Sequence, residues 1–307
     1  MNNRHEFQTD EAPDGVTIDT TNTELCECDW IQVQDENGAE VTGQPIGNYI
    51  TIKTDILGFG KIGELDKIAE TVSDYLLKIM NMYVSDDDSV LIVGIGNRNC
   101  VVDSLGVRVA DKIVVTGHFP RESVELLGGG IRPVFVTTPG TTGCTGLNTA
   151  KTVKSICDMM KPSLVILIDA LVARGVTRFC SSIQISDIGM TPGGGVQGKN
   201  AGQTINSDFL GVPVIGMGVP TVLNIATILD DYANELLQAH NIDIGDLEES
   251  LAETLSQYMD KLFPYTTSFI TTKEIDVAIH YSTYILSTAL NLALFQDDWI
   301  LKPYIAF

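Results

Sequence analysis

The sequence predicts an α/β fold: a mainly parallel sheet with helices on both faces, plus a small antiparallel β region near the N-terminus. Three observations lead there. Short continuous apolar runs recur at residues 89–95, 112–115, 133–137, 164–168 and 212–217, the pattern of strands covered on both faces. Between them the apolar spacing turns helical, at about 104–111, 147–160 and 222–240, an alternation that belongs to a parallel sheet with crossover helices. With 28 glycines and only 7% aromatic residues, the composition suits a sheet covered by helices better than a β-sandwich or a disordered chain.

Taken in order, residues 1 to about 15 are polar and acidic, contain Pro13 and Gly15, and offer nothing to anchor a core. They read as a flexible leader, assigned to 1–10, ahead of a single α/β domain over 11–307. At 30–33 and 49–53 apolar residues partly alternate, and Asn37-Gly38 between them offers a tight turn with positive φ. After Gly63, the side chains of Leu65, Ile68, Ala69, Val72, Leu76 and Ile79 follow the spacing of one buried helical face. Residues 281–295 are strongly apolar but shorter than a membrane span and include Ser282, Thr283, Ser287, Thr288 and Asn291, so they read as a buried helix.

Charge and cysteines narrow the function classes. A net charge of −21 repels phosphate backbones and anionic lipid, which argues against nucleic-acid or membrane-surface partners. The six cysteines are dispersed, as in a reducing compartment, and Cys26 and Cys28 read as packed side chains rather than metal ligands. The start of the chain is too polar for a signal peptide, so an intracellular protein is expected.

In parallel sheets, sites form beyond the carboxyl ends of the strands, which directs attention to the loops 96–103, 138–146 and 169–198. The first contains Gly94-Ile95-Gly96-Asn97, with Asn99 where a dinucleotide fingerprint needs its third glycine, and ends at Asp103. Asp103 is either a helix N-cap or a catalytic carboxylate. Asp169 directly follows five apolar residues, where a carboxylate is satisfied by Arg174 or is held with a shifted pKa for acid–base work. If the two end neighbouring strands, they can share one proton and activate water without a metal or nucleophilic serine. No Gly-x-Ser-x-Gly or His-Glu-x-x-His is present.

In the loop at 138–146, Gly140 and Thr141 offer backbone amides to an oxyanion or simply turn the chain. The segment 183–196 is read as irregular and glycine-rich, with Asp187 either in a substrate loop or at a plain turn. His118 and Cys144 lack assignable partners, and no metal cluster emerges.

Together these segments resemble the germination protease family, spore endopeptidases that degrade small acid-soluble spore proteins. The resemblance rests on Gly94-Ile95-Gly96-Asn97 through Asp103-Ser104-Leu105-Gly106, Arg132-Pro133 with Pro139-Gly140, Ile168-Asp169-Ala170-Leu171, Ile183-Gln184-Ile185-Ser186-Asp187, and Gly218-Val219-Pro220-Thr221. It implies that Asp103 and Asp169 are the essential aspartates, that no cofactor is needed, and that the substrates are small acid-soluble spore proteins. It further implies a homotetrameric zymogen of the forespore that removes its own leader on acidification. Phe7-Gln8-Thr9-Asp10-Glu11-Ala12 resembles the processing sequence, implying self-cleavage between Asp10 and Glu11. The spacing from Gly94 to Asp103 is also similar to that of hydrogenase maturation endopeptidases, which would have Asp103, Asp169 and a histidine such as His118 bind nickel. A nucleotide or small-ligand module, with the aspartates as caps and ribose partners, is the non-enzymatic alternative.

Overall fold

The structure is a computed structural model that describes residues 12–119, 131–193, 202–239 and 268–295. Strands β1 (Val16–Asn22), β2 (Glu27–Val33) and β3 (Gly47–Lys53) form an antiparallel meander. The turn expected at Asn37-Gly38 is instead part of helix α1 (Glu36–Thr42). Pairing Val33 with Gly47 leaves residues 34–46 to be accommodated, too many for a two-residue turn, and Asp35 starts a helix by accepting the Gly38 N–H at 2.9 Å. Helices α2 (Ile56–Phe59) and α3 (Ile62–Met80) follow, and every apolar position predicted for the face of α3 is buried.

The core strands are β4 (Val90–Gly94), β5 (Val134–Thr137), β6 (Leu164–Ala173) and β8 (Val214–Asn224), joined in the sheet by β7 (Ser182–Ser186) and β9 (Phe269–Ile270). One continuous sheet runs β1-β2-β3-β7-β8-β6-β4-β5, with β9 paired to β8. Pairings among β8, β6, β4 and β5 are parallel, and β7 joins this core antiparallel to the meander. Helices α4 (Leu105–Ala110), α5 (Thr142–Thr145), α6 (Thr149–Met160), α7 (Ser207–Leu210), α8 (Ile225–Ala239) and α9 (Ile275–Phe295) complete the described elements.

Alternate side chains of the core strands enter two different cores. Val90, Ile92, Ile166 and Ile168 pack with Leu76, Leu105 and Leu290 of α3, α4 and α9. Leu91, Val93, Val165 and Leu167 pack with Val153 and Cys157 of α6. Burying each such aliphatic side chain is worth about 1.5–3 kcal/mol, and coverage of both faces explains why the strands read as continuous apolar runs. Cys26 and Cys28 lie in the first of these cores, their sulfurs 3.7 Å apart.

Three segments depart from the sequence expectation. Residues 112–115 form no strand: Asn291 of α9 accepts the Val114 N–H and donates to the Lys112 carbonyl, each at 3.0 Å, supplying the bonds a neighbouring strand would have made. Residues 183–186, expected to be irregular, belong to β7, where Ile183 and Ile185 are buried and the glycine density begins only beyond them, at Gly189. The helix expected from 222 starts at Ile225, because β8 continues to Asn224 in register with β6 and β9. Among the described residues no helix is long and apolar enough to cross a membrane.

Candidate active site

From β4 the chain passes to β5 on one side and then returns to β6 on the other, with α4 and α6 on opposite faces. The strand order therefore reverses between β4 and β6, and the crevice beyond their carboxyl ends is the topological switch point where open α/β sheets place their sites. The last β4 pairing is Gly94 with Ile168, followed by a 2.8 Å bond from Ile95 N to Ile168 O. Strands β6 and β8 run on together to Ala173 and Leu223. Asp169 stands at this step, inside β6 rather than at its end.

Asp103 is not at a strand end either. It closes a 3₁₀ turn (Val101–Asp103) that follows the loop leaving β4. Nor does it cap α4, whose N-cap position is Ser104. The turn is drawn back over the strand ends by a 2.8 Å bond from Asn97 N to the Asp103 carbonyl and a 2.7 Å bond from Thr221 Oγ1 to the Val102 carbonyl. Gly96, at φ +131, lets the chain pass here, since a Cβ would lie 2.0 Å from the Asp103 carbonyl oxygen.

Asp169 is only 6% exposed, and its Oδ1 accepts the Ala170 N–H at 2.8 Å. Burial, and secondarily the charge of Asp103, push its carboxyl up to about 8, while the Ala170 bond offsets part of this. Arg174, considered as its partner, exerts its charge on Tyr49. Asp103 is half-buried, and burial raises its carboxyl too, against the lowering effect of the Asn97 N–H. Burial thus raises both carboxyls, and Asp169 feels the charge of its neighbour as well.

This arrangement has a consequence for stability. The folded pKa of Asp169 lies above its unfolded value, so the folded state binds the extra proton and stability falls as pH rises from about 4 to about 8. Asp169→Asn keeps the acceptor for Ala170 but cannot ionise. Its Tm is expected to match wild type in acid and to exceed it by roughly 5–10 °C at and above pH 8, measured by thermal melts across pH. A constant gap across pH would contradict the shift.

The other residues singled out from sequence are distributed unevenly. Asn97 and Gly140 line one shallow depression of about 200 Å³ with Cys144, on the β5 side of Asp103. Thr141 precedes α5, and its hydroxyl donates to the Cys144 sulfur at 3.2 Å. Asp187 lies apart, toward the amino end of β8: Ser186 pairs with Gly216, whereas Asp169 pairs with Gly218. Its carboxylate takes bonds from Asn48 N at 2.7 Å, Asn48 Nδ2 at 2.6 Å and the Tyr83 hydroxyl at 2.7 Å, tying β7 to β3 and to the end of α3.

His118 is exposed and adjoins the start of β5, since Gly117 N bonds the Val134 carbonyl at 2.9 Å. That is the strand end opposite Asp169, roughly 16 Å away along the strands at about 3.3 Å per residue, because Val134 is in register with Leu164 through Val90. Among the described residues no three His, Cys, Asp or Glu side chains converge as a metal site. Asp10 and Glu11 lie outside the described residues.

A family model described as germination protease matches residues 1–259. The chain belongs to the germination protease family. Among curated relatives, the germination protease of Caldanaerobacter subterraneus is 35% identical over 95% of this chain and 91% of its own length. That of Clostridium perfringens is 34% identical over 89% and 85%. Among solved structures, a NiFe hydrogenase maturation protease from Thermococcus kodakarensis aligns at 19% identity over 47% of this chain and 80% of that one, with a TM-score of 0.30.

Membership in a germination protease family makes the chain a hydrolase of peptide bonds. Two residues that pack against the Asp103 loop, Gly106 and Thr221, stand in the motifs that carry the family resemblance, but their contacts are not legible in the sequence. Gly106 sits in the first turn of α4 against the backbones of Ile95 and Ile168, and an isolated glycine in a helical pattern was the available signal. Thr221 falls between the apolar run expected at 212–217 and the helix expected from about 222, and nothing local marks its hydroxyl as a donor to the Asp103 turn.

Proposed function

We propose that this germination protease family member is a metal-independent endopeptidase of small acid-soluble spore proteins, with Asp103 and Asp169 as the pair that activates water. One observation carries the reading: a buried carboxyl at the switch point, Asp169, has another carboxylate, Asp103, as its charged neighbour. Two such groups at close quarters hold one proton between them. In this reading Asp103, the more exposed, takes a proton from water as it adds to the scissile carbonyl carbon, and Asp169 gives its proton to the carbonyl oxygen. Collapse of the tetrahedral adduct returns a proton to Asp169, while Asp103 passes its own to the leaving amine. In this reading the Gly140 amide, in the depression that Asn97 also lines, supports the oxyanion side, since the Asn97 N–H is already given to the Asp103 carbonyl. The active form carries one proton, so activity falls as pH rises through about 8.

The family resemblance adds a self-processing zymogen of the spore core, a homotetramer whose leader is cut between Asp10 and Glu11. The test is mass spectrometry of the purified full chain before and after mild acidification, with and without EDTA. Loss of residues 1–10 irrespective of EDTA is expected. An intact mass throughout would remove self-processing from the reading, and EDTA-sensitive cleavage would return it to the nickel alternative.

A further inference from the structure

We infer that Thr221 is a positioning residue, whose hydroxyl sets how closely the turn bearing Asp103 approaches Asp169; the inference rests on the aspartate-pair reading above. The pairing of β6 with β8 runs Leu171 to Pro220 and then Val172 to Val222, so Thr221 is an extra residue in the ladder, a β-bulge. A bulge frees one residue from regular pairing and re-aims its side chain. Thr221 is 1% exposed, its Oγ1 donates to the Val102 carbonyl at 2.7 Å, and its own carbonyl accepts the Thr271 hydroxyl at 2.8 Å. Both groups of the bulged residue are therefore engaged, one by the segment beside β9 and the other by the catalytic turn.

Strand order gives this contact its meaning. Strand β6, which carries Asp169, lies between β4 and β8. The 3₁₀ turn is fastened on the β4 side by Asn97 N to the Asp103 carbonyl at 2.8 Å, and on the β8 side by Thr221 to Val102. It thus spans β6 with an attachment on each flank. Without the Thr221 hydroxyl the turn keeps the Asn97 bond as a pivot, and Asp103 moves relative to the strand beneath it. Displacing a catalytic group by about 1 Å costs on the order of 100-fold in rate. A packing role alone, by contrast, would be filled by valine, which has the same shape but leaves the Val102 carbonyl without its donor, so the position of the pH limb, and not stability, separates positioning from a merely structural bond.

The titration of Asp169 reports the spacing. Among the described groups, Asp103 is the one whose charge raises Asp169, and Asp103 itself is shifted by burial and the Asn97 N–H. If Asp103 withdraws, its repulsion weakens and the alkaline limb of activity moves to lower pH.

The experiment compares the full-length wild type with Thr221→Val, Thr221→Ser and Thr221→Ala, alongside Asp103→Asn and Asp169→Asn, on a small acid-soluble spore protein across both limbs of the pH profile. Thr221→Val is expected to lower kcat about 10- to 100-fold with KM changed less than about twofold, and to shift the alkaline limb to lower pH. Thr221→Ser is expected to stay within about threefold of wild type with its limb in place. Should the valine variant fail to fold, the serine and alanine variants decide: a displaced limb in alanine alone supports the inference, and identical behaviour of the two overturns it. Wild-type kcat and pH profile in Thr221→Val overturn it as well. Substantial activity in Asp103→Asn or Asp169→Asn would sink the aspartate-pair reading. Two inactive asparagine variants beside unaffected Thr221 variants would sink only the role of Thr221.

Discussion

Asp103→Asn and Asp169→Asn are each expected to reduce peptide hydrolysis at least roughly 1,000-fold while leaving the fold intact, because in the proposed mechanism each removes one half of a coupled proton transfer. Asparagine at 103 has no basic oxygen to take a proton from water. At 169 it has no acidic proton to give. Neither change disturbs packing: asparagine keeps the acceptor that Asp169 Oδ1 offers to Ala170, and the Asp103 turn is held through backbone carbonyls. Loss of rate with wild-type circular dichroism and thermal stability no lower than wild type near neutral pH is the expected pattern. Activity within about tenfold of wild type in either variant would leave the proposed chemistry without its base or its acid.

Gly106→Ala is expected to destabilise the chain by about 3 kcal/mol or more and to abolish activity, although it places a good helix former inside a helix. Helix propensity alone predicts the opposite, a gain of about 1 kcal/mol. The difference lies in what the added Cβ would meet: the Ile168 carbonyl oxygen at 2.1 Å, the Ile95 carbonyl oxygen at 2.3 Å and the Ile95 nitrogen at 2.8 Å. All three are backbone atoms, of β6 one residue before Asp169 and of the chain leaving β4, so no side chain can rotate away. The helix must lift, and the loop carrying Asp103 lifts with it. Gly63→Ala in α3, where nothing lies within 4 Å of the added carbon, is the control and should be neutral or slightly stabilising. Denaturant unfolding and hydrolysis assays on both variants check this, and a Gly106→Ala protein as stable as wild type would mean that α4 does not sit this close to the strands.

Much of this protein is determined by the local order of its residues. The apolar runs that became β4, β5, β6 and β8, the single buried face of α3 and the apolar α9 all report side-chain burial, which recurs with the period of the element and is legible without neighbours. Asp169 is visible as a carboxylate directly after an apolar run, and Asp103 as one at the end of the loop that leaves another. Tertiary structure decided the rest, because it concerns which backbones meet. Residues 112–115 are as apolar as a strand, but Asn291 takes their hydrogen bonds. Asp103 reads as a helix cap until the chain folds back through Asn97 and Thr221 to set it over β6. Asp187 lies in a segment that looks as functional as the others, yet three donors hold it at the opposite end of the strands. Periodicity records whether a side chain is buried; the approach of one carboxyl to another depends on pairing across long stretches of chain, to which no local pattern is sensitive.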